Sequence, residues 1–474
     1  MQNSDVIWDH VETHQKDLVG LSDRVWATPE TLYGEFASCA EHTAMLRDKG
    51  FAVTEAVAGI PTAVMGEAGE GGPVIAILGE YDALPGLSQE AGIDYPKPVE
   101  EGGAGHGCGH NLLGSAALLA ACALKDWLAE TGTPGRVRYY GCPAEEGGAA
   151  KSFMVRDGAF DDVDAAICWH PSGMTRVDEA QSLANTRMDF AFTGRASHAA
   201  AAPHLGRSAL DAAELMNVGV QYLREHIPQE SRIHNAYLDA GGTAPNVVQA
   251  RAVTRYAIRS TTLSGMRLLN ERVQDIARGA ALMTGTKVDI SIMSAVSNMQ
   301  GNTPLEEVMQ QAMDVLGGVP FDDADRAYAA RIQATLSDDD IAAEYRQNGL
   351  EPQKGSPLCD YIVPPQSRGP AMMGSTDVAD VSWAVPTVQA RVATHAIGTP
   401  GHSWQITAQG KAGAAHKGMI HAAKIMGATA RMLLADKDLL ARAKQDHRRR
   451  MEIEPYVCPI PEDVTPPLVK RPAA

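Results

Sequence analysis

The feature that most constrains the fold is a change in the rhythm of apolar runs near residue 186. After an amphipathic helical pattern at the N-terminus, short strand-like runs alternate with helical patterns up to Thr186, which is typical of a mainly parallel sheet covered by helices on both faces. From Arg187 to Val296 the predicted order is instead strand, helix, strand, strand, helix, strand. We therefore predict an α/β domain in two parts, residues 1–186 and 297–474, around an inserted α+β domain, residues 187–296.

Several segments within and after the insert predict particular elements. A long strand is predicted over Val247–Arg259. The residues Thr303-Pro304-Leu305-Glu306 predict a capping box with proline at the first helical position, so a helix begins there. The acidic segment 320–370 is predicted to carry one or two helices around Ser337–Arg346, and repeated prolines after Tyr456 predict an extended tail.

Composition excludes some classes of partner. The chain has 474 residues, which favours two domains, and its 41 basic against 58 acidic residues argue against nucleic acid and anionic membranes. Residues 1–21 lack the pattern of a signal peptide, and no apolar run approaches the roughly 20 residues that cross a bilayer. Seven cysteines, an odd number, indicate reduced thiols. We predict a cytoplasmic protein that acts on a small molecule.

A glycine-rich pentapeptide, His106-Gly107-Cys108-Gly109-His110, offers a thiolate and an imidazole two positions apart. Zinc and its neighbours favour these ligands, and the flanking glycines allow both side chains to reach one small volume. Taken alone, a tight turn around a buried cysteine explains the pentapeptide equally well. Whether the pentapeptide indicates a metal site therefore depends on the other candidate ligands.

Further candidate ligands follow predicted strands. The adjacent carboxylates Glu145 and Glu146 come after the apolar run Val137–Gly141, and His170 ends the run that begins at Ala165. Paired acids on a helix are usually solvated, whereas strand ends of an α/β sheet face a crevice. One carboxylate is then able to ligate a metal ion while the other accepts a proton from water, as metal-dependent hydrolysis requires.

In their order along the chain, these motifs and Gly79–Pro85 resemble the co-catalytic metallopeptidase and amidohydrolase family of aminoacylase, hippurate hydrolase and the indole-acetyl-amino-acid hydrolases. The resemblance covers nearly the whole chain. It is greatest to the aminobenzoyl-glutamate hydrolase branch, on residues 374–383 and 401–404. Other matching motifs lie at residues 196–200, 241–246 and 398–403.

The resemblance implies a zinc-peptidase-like catalytic domain with an inserted lid or dimerisation domain, and two divalent metal ions per chain, Zn²⁺ or Mn²⁺. Cys108 would bridge the two ions, and the remaining ligands would be His110, Glu146, His170 and His402. Glu145 would be the general base, and Asp82 would orient a ligand imidazole. Glu80 stands where peptidase members carry a histidine ligand, so whether it contacts metal is left open.

The same resemblance gives roles to three residues of the insert. His198 would stabilise the oxyanion in the active site of a partner subunit, and Asn246 would donate a hydrogen bond to the polarised carbonyl. Arg259 would bind the carboxylate of the substrate, for which a planar guanidinium is well shaped. The alternatives are a structural histidine and a solvated basic stripe formed by Arg255 and Arg259.

The predicted function is metal-dependent hydrolysis of the amide bond of an N-acyl or N-aroyl amino acid, with an aminobenzoyl-glutamate-like substrate. The expected partner is a second copy in a homodimer, or a related subunit in a hetero-oligomer. Three alternatives remain open: dipeptide hydrolysis or aromatic-amine deamination at the same metals, Cys108 as a nucleophile without metal, and a noncatalytic subunit. The intact set of candidate ligands favours catalysis.

Overall fold

The computed structural model describes residues 5–353, 355–370 and 374–471. Its strands are β1 Ala52–Glu55, β2 Val64–Glu70, β3 Val74–Glu80, β4 Gly135–Cys142, β5 Ala165–Ser172, β6 Arg176–Val177, β7 Ala184–Thr193, β8 Arg232–Asp239, β9 Arg251–Ser260, β10 Lys287–Val296 and β11 Thr387–Ala393. They form a seven-stranded sheet in the order β1-β2-β4-β3-β5-β11-β6 and a four-stranded sheet in the order β10-β7-β9-β8.

The α-helices cover both sheets. They are α1 Val6–Trp26, α2 Phe36–Asp48, α3 His110–Thr131, α4 Ala150–Arg156, α5 Ala209–Leu223, α6 Leu263–Thr284, α7 Thr303–Leu316, α8 Asp323–Gln333, α9 Asp338–Gln347, α10 Val378–Ala384, α11 Trp404–Gln409, α12 Gly413–Ala435 and α13 Lys437–Ile453. Short 3₁₀ turns occur at Val57–Gly59, Pro203–Leu205 and Arg224–His226.

The centre of the seven-stranded sheet is parallel. β3 pairs in parallel with β4 and β5, and β5 pairs in parallel with β11. β1, β2 and β6 pair antiparallel at the edges. Every residue of β3 is buried, as expected for a strand with helices on both faces. The predicted α/β fold with a mainly parallel sheet is confirmed.

Helix α3 lies in the core beneath this sheet and packs against α1 and α12. It begins at His110, directly after Gly109 with φ 79°, and ends at Gly132 with φ 64°, so glycine supplies the left-handed backbone at both ends. The helix is long and apolar enough to cross a membrane, whereas the sequence analysis expected no such segment. However, 83% of its most apolar window is buried inside the protein, as in a core helix.

The four-stranded sheet is antiparallel, and α5 and α6 pack on one of its faces around Phe190, Met216 and Tyr256. The predicted elements of residues 187–296 all appear. Strand β9, however, begins at Arg251 and not at Val247, which instead makes an isolated bridge with His198. The sheet itself spans residues 184–296, and the domain boundaries at 186 and 296 stay predictions.

The second half of the chain corrects one predicted helix start. The N-cap of α7 is Asn302, whose side chain accepts the Leu305 N–H at 3.2 Å, while Glu306 accepts the Asn302 N–H at 3.1 Å. Asn302 has the extended backbone that a cap requires, so the helix is capped one residue before the predicted Thr303. Glu306 is then the fourth helical residue and not the third, so the capping box predicted from Thr303 is not formed. The helices expected within 320–370 are α8 and α9, and residues 456–471 contain neither helix nor strand.

Candidate metal centre

The candidate ligands meet at the carboxyl edge of the seven-stranded sheet. Glu80 ends β3 opposite Cys142 at the end of β4, and His170 lies near the end of β5. Because parallel strands present their carboxyl ends at one edge, the loops that follow carry Asp82 and the Glu145-Glu146 pair to the same place.

The remaining ligands arrive from two loops that contact each other. Cys108 lies two residues before the start of α3, and His402 lies in the loop after β11. The His402 N–H donates to the carbonyl of Gly107 at 3.0 Å, which joins the two loops. His402 has φ 55°, and Ala144, beside the carboxylate pair, has φ 54°. Left-handed backbone is uncommon for such residues and recurs at functional sites, where surrounding contacts hold it.

Among the described residues, three groups of side chains are close enough to hold a metal ion, with ligand atoms within 4.8 Å of one another in each group. The groups are Cys108, His110 and His170; Cys108, Glu146 and His402; and Glu80, His110 and Glu145. The first two contain all five predicted ligands and share Cys108. This arrangement fits two cations on either side of one sulfur atom.

Hydrogen bonds fix how two imidazoles, the buried His110 and the half-buried His170, present their nitrogens. His110 Nδ1 lies 2.8 Å from Asp82 Oδ1, and His170 Nδ1 lies 2.8 Å from the carbonyl oxygen of Pro171. Each Nδ1 therefore donates a proton, and each Nε2 is left with a lone pair for a cation. His170 Nε2 is 3.4 Å from Cys108 Sγ. Asp82 also accepts the Glu146 N–H at 2.9 Å, so it contacts both His110 and the loop that carries Glu146.

Two buried ligand atoms have no hydrogen-bond partner among the described residues, namely His110 Nε2 and Glu146 Oε1. Buried polar atoms are nearly always satisfied, and a divalent cation would satisfy both. Burial, reinforced by the charge of Glu146, raises the pKa of the Cys108 thiol to about 12. A coordinated cation reverses that preference, because it stabilises the thiolate. The residues present therefore fit a metal centre.

Glu145 lies beside this centre with a strongly perturbed acidity. Burial, followed by the charges of Glu80 and Glu146, raises the pKa of Glu145 well above its usual range. A carboxyl group with a raised pKa holds a proton more readily near neutral pH, which suits a group that both accepts and donates one. Glu145 is also in one of the three ligand groups, with Glu80 and His110.

A buried cation that the sequence analysis missed lies behind the centre. Lys151 Nζ is 2.6 Å from Glu80 Oε1 and 2.7 Å from Asp377 Oδ1. Glu80 Oε2 in turn lies 3.3 Å from His110 Nε2. The sequence signal was weak, a lysine in a short helix, α4, that also contains Ser152 and Arg156. Glu80 is thus held by a cation and faces the imidazole of a candidate ligand.

His198 and Asn246 lie together but away from the other predicted site residues. The Asn246 carbonyl accepts the Ala199 N–H at 2.9 Å, and both His198 and Asn246 are exposed. His198 Nδ1 accepts the N–H groups of Ala200 and Ala201 at 3.2 and 3.1 Å, so its proton resides on Nε2. Neither side chain is among the described residues that line the cavity at Glu145.

That cavity has a volume of about 320 Å³ and joins the metal centre to the four-stranded sheet. Arg259 lines it, as predicted for a carboxylate-binding residue, and donates to Ser375 Oγ at 3.2 Å. Arg187 of β7 also lines it, and no motif had indicated this residue. Arg255 does not form a solvated stripe with Arg259, because it pairs with Asp189 at 2.7 Å.

Comparison with known proteins agrees with this geometry. Residues 76–404 match the model of peptidase family M20/M25/M40. The chain is 44% identical to one of the subunits of the p-aminobenzoyl-glutamate hydrolase of Escherichia coli K12, with 98% of each chain covered. It is 27% identical to the Xaa-Arg dipeptidase of Mus musculus, covering 94% of this chain and 92% of the relative.

Among solved structures, a dinuclear metal-binding peptidase of the M20 family from Bacillus subtilis has the same fold, with a TM-score of 0.57 and 18% identity, covering 90% of this chain and 99% of that one. The matched family segment includes the carboxyl edge of the sheet and each of the five candidate ligands. The chain therefore belongs to peptidase family M20/M25/M40.

Proposed function

We propose that this protein hydrolyses the amide bond of an N-acyl or N-aroyl amino acid, with an aminobenzoyl-glutamate-like substrate, at a centre of two divalent metal ions. The observation that carries the proposal is that Cys108 belongs to two ligand groups at once, with Glu145 alongside. The high identity to a p-aminobenzoyl-glutamate hydrolase chain supports the choice of substrate.

The five ligands would hold both ions, either Zn²⁺ or Mn²⁺, since imidazole and carboxylate accept both and thiolate favours the softer one. Bound there, the ions supply polarisation of the amide carbonyl and a lower pKa for a water molecule. Glu145 accepts the proton of the attacking water and then donates it to the leaving amine. Asp82 keeps the His110 ring oriented through their 2.8 Å hydrogen bond.

We also propose that a second subunit completes the site. Because the His198 Nε2–H is a preset donor that does not line its own cavity, it suits the oxyanion of a neighbouring site, with Asn246 beside it. Strand β8 is an edge strand that exposes Tyr237 and Leu238, a natural surface for pairing. The partner is a second copy or a related chain, since the Escherichia coli relative is itself one subunit of a hydrolase.

The proposed compartment is the cytoplasm. All seven cysteines are free thiols, and five of them are buried. Free thiols in this number fit a reducing environment.

The test combines elemental analysis with a substrate panel. The metal-loaded protein is assayed on p-aminobenzoyl-glutamate, hippurate, an N-acetyl amino acid and a dipeptide ending in arginine, with chelated protein and Glu145→Gln as controls. We expect close to two ions per chain and release of p-aminobenzoate that both controls abolish. Turnover of the dipeptide alone would replace the proposal with a dipeptidase, and no turnover by the loaded protein would point to a noncatalytic subunit.

A further inference from the structure

One face of the four-stranded sheet concentrates positive charge at the cavity. In the pairing of β7 with β9, Asn185 lies opposite Arg259, Arg187 opposite Ala257, and Asp189 opposite Arg255. Alternate residues of a strand share a face, so these six side chains lie on one surface. The short side chain of Ala257 leaves space between Arg187 and its diagonal neighbours Arg255 and Arg259.

Arg255 and Arg187 differ in how their charge is balanced. Arg255 donates two hydrogen bonds to Asp189, at 2.7 and 2.9 Å, and is thereby neutralised on the sheet. Among the described residues, Arg187 donates to the carbonyl of Gly147 alone, at 3.4 Å. Within the described ranges no carboxylate oxygen lies within 4.0 Å of the Arg187 guanidinium. Arg187 is therefore a half-buried cation without a direct ion pair among these residues, although the charges of Glu145 and Glu146 act on it from a longer distance.

The charge of Arg187 acts on Arg259 across the same cavity. Burial, and then the charge of Arg255, lowers the pKa of Arg187; burial, and then the charge of Arg187, lowers the pKa of Arg259. Both guanidiniums line the space that also contains Cys108 and Glu145. An anion that enters between two neighbouring, partly desolvated cations is stabilised by both of them.

We propose that Arg187 determines specificity by binding the side-chain carboxylate of a dicarboxylic amino acid, while Arg259 binds its α-carboxylate. Diagonal neighbours in an antiparallel pair lie about 7–8 Å apart at their Cα atoms. The two carboxylates of one short dicarboxylic acid are therefore able to reach the guanidinium groups of both arginines. The inference rests on the proposed function, since it assumes that the amino-acid half of the substrate occupies this cavity. The protein then selects N-acyl amino acids with acidic side chains.

The experiment compares N-benzoyl-glutamate with N-benzoyl-glutamine, which differ in side-chain charge and hardly in shape. The ratio of their kcat/KM values is measured for the wild type, for Arg187→Met and for the matched control Arg255→Met, whose arginine is already paired with Asp189. We expect the wild type to prefer glutamate, and Arg187→Met to reduce that ratio by about 10- to 100-fold, as for a lost charge-assisted pair. Arg255→Met should keep the wild-type ratio.

A second measurement separates this inference from the proposed function. The binding of glutarate and of butyrate is measured by calorimetry, which needs no turnover. We expect Arg187→Met to weaken the binding of glutarate far more than the binding of butyrate. If the wild type hydrolyses neither amide but binds glutarate through Arg187, the proposed function fails and the diacid site stands. Arg187→Lys, which retains the cation and should lose less of the preference, guards against a folding defect in Arg187→Met.

Three results would overturn the inference. The first is a wild type without preference for the acidic substrate. The second is a ratio that Arg187→Met leaves unchanged, together with unchanged glutarate binding. The third is an equal fall for both substrates, which would mean that Arg187 acts on the carboxylates of Glu145 and Glu146 and not on the substrate.

Discussion

Replacing Lys151 with methionine tests whether the buried ion pairs behind the metal centre hold the fold together. The side chains of Lys151, Glu80 and Asp377 are 0%, 4% and 0% exposed, and the ammonium group contacts both carboxylates. Methionine preserves most of the volume of the aliphatic part of the lysine side chain, so the substitution removes the charge and leaves only a small cavity. Leaving buried carboxylates without their cation costs about 3–5 kcal/mol of unfolding free energy.

The cost should depend on pH. Burial raises the pKa of Asp377 to about 6 even with Lys151 present, so its folded pKa lies above the unfolded value. A raised carboxyl pKa gives stability that is present below the unfolded pKa and is lost as pH rises through the folded pKa. Removal of the neighbouring cation raises the pKa further. The destabilisation of Lys151→Met should therefore be smaller at pH 5 than at pH 8.

The assay is denaturant unfolding of chelated protein, because bound metal would add its own stabilisation. The control is Lys97→Met, which breaks an ion pair of 2.5 Å with Glu90 whose side chains are 56% and 44% exposed. An exposed ion pair contributes only about 0–1 kcal/mol to the free energy of unfolding. If distance alone set the contribution, the two variants would be destabilised equally; because burial matters, we expect Lys151→Met to be destabilised more than Lys97→Met. The double variant Lys151→Met with Asp377→Asn should recover part of the loss. Equal midpoints for Lys151→Met and Lys97→Met, or no recovery in the double variant, would refute the reasoning.

Three further predictions concern the metal centre and the assembly. Cys108→Ala should lose most of the metal by elemental analysis while its circular dichroism is unchanged; full metal content would remove the bridging role. Glu145→Gln should keep metal and lower turnover at least about 100-fold, whereas Glu146→Gln should weaken metal binding; normal metal and turnover in both would make the pair dispensable. Mixing inactive His198→Ala with inactive Glu145→Gln should restore some activity once exchange of differently tagged chains is shown, and activity that stays at the level of the separate variants would keep His198 within its own chain.

Much of the fold follows from patterns that are local in the sequence. The continuous apolar run of β3 and the glycines on either side of α3 predict those elements without reference to the rest of the chain. The misplaced helix start shows the limit of such patterns. Both Asn302 and Thr303 are good N-caps in front of a proline, and only the extended backbone and side-chain contacts of Asn302 decide between them.

The grouping of the candidate ligands was predictable for a related reason. A metal needs particular residue types, and these stand in short motifs between strands and glycines, as with Cys108 and His110. The supporting charges lack this property. Lys151 and Asp377 are 226 positions apart, and an isolated lysine or aspartate in the sequence is most often a solvated surface residue.

Register decides the role of Arg187 in the same nonlocal way. Asp189 neutralises Arg255 because the two lie directly opposite in the pairing of β7 with β9. A shift of two residues would keep the same side chains on the same face, yet it would place Arg187 opposite Arg255 or Arg259. Composition and alternation are identical in both registers. Which arginine retains a charge for the substrate is therefore a property of the paired strands and not of either strand alone.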